Sequence, residues 1–252
     1  MFIPLGDDNS DRRIQPVVNL ALIGLNILVF LFLQGMGSNT QFTYSLSTVP
    51  QEILTGTDVV TQPGIASDPV SGQRYRVPGL GRTPLSVYLT LLTSMFMHGG
   101  FMHLLGNMLY LFIFGDNLEN LMGHLRYLVF YIACGVLASL AHVFVSAALD
   151  ADLLIPSLGA SGAISGVLGG YFLLFPKRRV RVLIFRFISE VPALVAIGVW
   201  FAFQLISSLG MFSGGSGGGV AYGAHIGGFV AGLALVKFFL IGKESRKSLL
   251  LP

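Results

Sequence analysis

Charge is what this sequence most lacks. Of its 252 residues only 11% are Asp, Glu, Lys or Arg, against about 25% in a soluble domain. Cysteine is almost absent as well. The single Cys134 excludes a disulfide framework and offers no metal spacing, and its place in an apolar run reads as small-residue packing. A net charge of +3 is too small to point to nucleic acid, and nothing calls for a cofactor. No small-residue cleavage site closes the first apolar run, which follows Asp7, Asp8, Asp11, Arg12 and Arg13. It therefore reads as a retained helix and not as a signal peptide.

What is present is apolar length: 53% hydrophobic residues and a mean hydropathy of +0.75. Six runs are long enough to cross roughly 30 Å of hydrocarbon at about 1.5 Å per residue. They lie at Val17–Leu33, Phe101–Leu118, Tyr127–Ala147, Leu158–Phe175, Pro192–Leu209 and Val220–Ile241. The fold expected is an all-α membrane protein, a bundle of six transmembrane helices over 17–241. A segment 1–16 precedes it and a tail 242–252 follows. The fourth and sixth runs are rich in glycine, including the pair Gly228 and Gly232, so these faces are expected to pack closely.

Lys and Arg set the expected orientation. Arg12, Arg13, Arg126, the cluster Lys177 to Arg186, and Lys237, Lys243, Arg246 and Lys247 fall on one side. Only Arg74, Arg76 and Arg82 fall on the other, so both termini are expected in the cytoplasm. The basic cluster reads as a solvated loop near anionic lipid. The first outer loop, 34–100, is long enough to suggest a function. Its apolar end, Pro84–Met97, is too short to span and reads as a re-entrant or interfacial piece.

Polar residues inside spans are costly and point to function. Ser161 stands in Gly159-Ala160-Ser161-Gly162, near the outer end of span four. His225, in Ala224-His225, lies at a similar depth in span six, as do His103 and Asn107 in span two. A serine needs a base to become a nucleophile, and histidine suits that role at neutral pH. No acid lies at that depth, so a Ser161–His225 dyad is expected. His103 and Asn107, four residues apart on one helical face, can both donate to an oxyanion. The Ser161 backbone N–H, at a helix start, is a third donor. Gly159 and Ala160 leave room for a substrate backbone.

With these motifs in this order, the chain resembles the rhomboid family of intramembrane serine proteases over about Arg12 to Leu240. The resemblance rests on Gly159-Ala160-Ser161-Gly162, Ala224-His225 with Gly228 and Gly232, His103 with Asn107, and the Gly115…Glu119…Gly123 run. It implies a six-helix rhomboid-type fold with Ser161 as nucleophile and His225 as base. His103, Asn107 and the Ser161 amide would form the oxyanion site, and Glu119 would be structural. The implied partners are the lipid bilayer and the transmembrane proteins it would cut. The short N-terminal segment lacks an Arg-rich, Ser-rich transit stretch, so a prokaryotic plasma membrane is expected over an organelle. Two features depart from the common pattern. Ser165 stands where many members carry an aromatic that stacks on the histidine, and the first outer loop has no Trp-Arg pair.

The sequence also admits a catalytically silent escort of membrane proteins, though Ser161 and His225 are both present, and a proton-handling transporter. Ser157 and Ser165 are alternative nucleophiles. His98 reads as a brace for the outer loop, His142 as a packed histidine and His124 as an interface residue. Trp200, Phe201 and Phe203 in span five mark a candidate lateral gate. The Gly214–Gly219 run reads as a linker or as a mobile cap over the site.

Overall fold

A computed structural model describes residues 2–67, 74–149, 153–212 and 222–242. The Gly214–Gly219 run and tail residues Lys243, Arg246 and Lys247 lie outside that set. The chain begins with β1 (Phe2–Asp7) and α1 (Val17–Leu28), which continues as a π turn over Val29–Leu33. The outer loop carries α2 (Thr40–Ser45), α3 (Pro50–Thr55), the hairpin β2 (Gly64–Ser67) and β3 (Arg74–Val77), and α4 (Thr90–Thr93). Then come α5 (Phe101–Met122), α6 (His124–Ala148) and α7 (Ser161–Leu174). The strands β4 (Arg179–Ile184) and β5 (Phe187–Pro192) lead into α8 (Ala193–Phe212), and α9 (Tyr222–Leu235) follows.

Each of the six apolar runs carries a helix among its described residues. Two stretches, His124–Ala148 and Tyr222–Leu240, are long and apolar enough to cross a membrane by length and composition. The stretches Val17–Leu33, Ser161–Leu174 and Ala193–Ser208 are shorter apolar helices.

The fold is mostly helical, and the all-α expectation needs one correction. The described residues include two small antiparallel sheets, β1-β4-β5 and β2-β3. The first arises inside the basic cluster read from the sequence as a solvated loop. Arg179, Val180, Arg181 and Val182 alternate exposed and buried, with both valines fully buried. That period of two is a strand's. The N-terminal strand pairs with it, Pro4 opposite Val182 and Asp7 opposite Val180. Pro4 is buried against Tyr110 and Phe114 of α5, Leu168 of α7 and Trp200 of α8.

Glycine brings α7 and α9 into backbone contact. A Cβ on Gly228 would lie 2.1 Å from the Gly162 carbonyl oxygen, and one on Gly232 would lie 2.0 Å from that of Gly166. The glycine-rich faces of the fourth and sixth runs therefore meet each other. Because backbone cannot yield, Gly232→Ala must push the helices apart. A loss of about 3 kcal/mol is expected, read as a lower melting temperature in detergent, and an unchanged one would refute the close approach.

The far end of α5 is tied to the chain start by polar groups. Glu119, fully buried, accepts the N–H groups of Val18 (2.9 Å) and Asn19 (2.7 Å) and so caps α1 from another helix. His124, expected at an interface, is paired with Glu119. A Cβ on Gly115 would sit 2.1 Å from Asn19 Oδ1, so glycine there makes room for the Asn19 amide. Arg12 is paired with Asp116, and Arg178 is paired with Asp11 and lies over the Phe175 ring.

Asp7 sits in the middle of this cluster. Tyr171 and Asn117 both donate to its carboxylate. Burial pushes the Asp7 pKa up to about 7, helped by the Asp116 carboxylate and opposed by Tyr171, Arg178 and Arg12. A carboxyl that titrates near 3.8 unfolded and near 7 folded favours the fold most below the lower value. That contribution fades as pH rises towards 7. The full span corresponds to up to ~4 kcal/mol. Thermal melts at pH 5 and pH 8 should show the part of this loss that falls above pH 5, up to ~3 kcal/mol, in the native protein and a smaller one in Asp7→Asn. Equal slopes would contradict it.

Candidate active site

Three helices, α5, α7 and α9, begin at the same end of the bundle and place the chemistry there. Ser161 is the first residue of α7 and His225 the fourth of α9. The Gly162–Gly228 contact lies beside both and fixes their separation. His225 Nε2 lies 2.8 Å from Ser161 Oγ, a hydrogen bond between the pair. On the ring's other side, His225 Nδ1 lies 2.9 Å from Oε1 of Gln204, a residue of α8. The Trp200 and Tyr222 rings flank the imidazole, with centroids at 6.2 and 6.4 Å.

A cavity of about 830 Å³ opens in front of this pair, lined among others by His103, Asn107, Gly159, Ser161 and His225. It reaches the surface at the start of α5, where Gly99, Phe101 and Met102 are exposed. Asn107 is 8% exposed, and its Nδ2 has no hydrogen-bond partner among the described residues. An unused buried N–H donor is costly unless something else fills its place. His103 accepts the Gly99 N–H at Nδ1, at 3.3 Å. That leaves the neutral ring's proton on Nε2, the nitrogen nearer Gly159.

Gly159 carries the turn into α7 at φ +119°, a left-handed conformation in which a side chain is strained. A Cβ there would lie 2.8 Å from the His103 ring and 3.6 Å from Asn107 Nδ2. The outer loop holds this turn: the Gly159 N–H donates to the Ser94 carbonyl at 2.9 Å. Ser94 is in turn held by Thr48, whose backbone pairs with Ser157. Gln34, after α1, clasps the backbone of His98 through both amide atoms. His98 thus braces the loop, and its ring meets that of His103 edge-on at 5.2 Å.

Five of the six residues singled out in the sequence therefore share the cavity. Ala160 does not: it is fully buried and packs in the core. Ser165, the alternative nucleophile, donates to the Ser161 carbonyl at 2.7 Å. Ser157 lines the cavity, but the histidine that could activate a serine is bonded to Ser161. His142 lies on α6 with its Cα 3.4 Å from where a Gly223 side chain would begin. The residues missed are Gln204 and Trp200 as neighbours of His225. From the sequence Trp200 reads only as part of a gate, and an isolated glutamine in an apolar run is the one signal for Gln204.

The class this defines is a helical, apolar-surfaced protein with a serine–histidine pair facing a cavity that opens at the start of α5. The rhomboid domain profile matches residues 86–242, and the chain belongs to the rhomboid family of membrane-embedded proteins. It is 34% identical over 166 residues to the rhomboid protease GluP of Bacillus subtilis, covering 64% of this chain and 29% of that protein. It is 32% identical over 148 residues to the mitochondrial rhomboid protein 1 of Saccharomyces cerevisiae, covering 58% and 40%. To the putative rhomboid protease YdcA of Bacillus subtilis it is 29% identical over 157 residues, covering 62% and 69%. The chain thus spans less than half the length of the first two of these relatives.

Proposed function

We propose that this chain is an intramembrane serine endopeptidase that cuts peptide bonds in or next to transmembrane segments of other membrane proteins. The observation that carries the reading is the 2.8 Å contact between Ser161 Oγ and His225 Nε2 at the wall of a cavity. Named rhomboid proteases among the relatives support it. Ser161 Oγ attacks the scissile carbonyl carbon while His225 Nε2 takes its proton. The oxyanion accepts hydrogen bonds from Asn107 Nδ2, His103 Nε2 and the Ser161 backbone N–H. His225 then returns the proton to the leaving amine nitrogen as the C–N bond breaks. Water, deprotonated by the same histidine, hydrolyses the acyl-enzyme.

The six apolar runs then serve as six spans, with 17–241 as the protease domain and the outer loop partly embedded. Segments 1–16 and 242–252 lie on the cytoplasmic side of a prokaryotic plasma membrane. α7 has 14 residues, about 21 Å, against ~30 Å of hydrocarbon. With its far end at the cytoplasmic interface, Ser161 sits about 9 Å below the outer one, within reach of water. A substrate helix hides its carbonyls in hydrogen bonds, so helix-weakening small residues are expected near the cut. Cleavage of a single-span substrate by the reconstituted protein, with fluorophosphonate labelling at Ser161, tests the reading. Labelling at another residue would sink it.

A further inference from the structure

The proposed dyad leaves open what holds the base. An imidazole alone on a helix can rotate about χ2 and can carry its proton on either nitrogen. Only the tautomer protonated at Nδ1 presents a lone pair to the serine. An aromatic at the position of Ser165 is absent, and Ser165 is occupied with the backbone of its own helix. What faces Nδ1 is the side chain of Gln204, 7% exposed, with Oε1 at 2.9 Å.

We infer that Gln204 is the positioning residue for the base, its Oε1 accepting the Nδ1–H of His225 and so holding Nε2 unprotonated against Ser161 Oγ. A carboxylate in that place would be a buried charge in an apolar bundle, which is expensive. An amide oxygen supplies the same acceptor geometry without it. The indole of Trp200, one turn before Gln204 on α8, lies beside the same ring and limits its rotation. One helix thus provides both the acceptor and the side wall for the imidazole.

This gives α8 a specific part in the site. The helix leaves Leu194, Val195, Val199, Phe203 and Ile206 exposed, so only one of its faces is held by the rest of the bundle. Seating that face sets the tautomer and the aim of His225. Unseating it removes the acceptor while Ser161 and His225 stay in place on α7 and α9.

The inference rests on the protease reading for its kinetic consequence but not for its structural one, and the test separates the two. Gln204→Met keeps the length of the side chain and removes the acceptor; Gln204→Glu keeps an acceptor. In the reconstituted assay, Gln204→Met should lower kcat roughly 10- to 100-fold, part of the 10²–10⁴ that a general base contributes. KM should stay within about twofold, and Gln204→Glu should recover most of the loss. Independently of activity, ¹⁵N spectra of histidine-labelled protein, assigned by the signal lost in His225→Ala, should show His225 protonated at Nδ1. In Gln204→Met the two tautomers should mix. A wild-type His225 protonated at Nε2, or a Gln204→Met enzyme with unchanged kcat, overturns the inference. A Ser161→Ala protein that still cuts overturns the protease reading instead, and the nitrogen spectra still decide the role of Gln204.

Discussion

Ser161→Ala and His225→Ala are each expected to bring cleavage of a reconstituted single-span substrate to the assay floor, a drop of at least ~10³-fold in kcat. The size follows from the interdependence of the pair. Without His225, the Ser161 hydroxyl keeps its proton through the attack; without Ser161, the base at 2.8 Å has nothing to activate. Two residues that act as one unit are not additive. The double variant should therefore be no slower than either single one. Additive losses would mean that the two act separately. Folding is a fair control, because both side chains face the cavity. The close α7–α9 contacts are made by Gly162, Gly166, Gly228 and Gly232. Melting temperatures of both variants should stay near that of the native protein.

Asn107→Ala is expected to lower kcat by about 10²–10³, the usual cost of ~3–4 kcal/mol for one oxyanion donor, with KM little changed. Asn107 Nδ2 is buried at the cavity wall with no hydrogen-bond partner among the described residues, so it is free to donate as negative charge develops in front of it. An interaction made in the transition state and not in the ground state appears in kcat. A rise in KM at constant kcat would assign Asn107 to substrate binding instead. Removing an idle donor also relieves an unmet hydrogen bond, so Asn107→Ala should be no less stable than the native protein.

The residues of the site could be read from the sequence because polar groups are rare in apolar runs. A histidine or an asparagine four residues from another stands out there. The glycines around Ser161 and His225 were legible for a related reason: only close backbone packing explains so many in a helix. Ala160 was misplaced since a small residue beside a nucleophile looks the same whether it faces substrate or core. Gln204 escaped notice because its meaning lies in its partner. A lone glutamine among Trp200, Phe201 and Phe203 carries no motif, and only the fold brings it to His225. The strand β4 did carry a signal, the alternation of arginine and valine, but clustered positive charge reads first as a solvated loop. β1 was less legible still, because Pro4 and Gly6 interrupt any strand pattern and its partner lies most of the chain away.

That distance orders the protein's own assembly. β1 is made before α1, yet the strand it pairs with, β4, follows α7. At about 5–20 residues per second, roughly 10–40 s pass before Ile184 exists for Phe2 to meet. Once Glu119 has been made its cap on α1 can form, while Asp7, Tyr171 and Arg178 cannot come together until the chain has grown to Arg178. The sheet is therefore a late seal on α1, α5, α6 and α7, and Phe2–Asp7, made before all four, find their place after them.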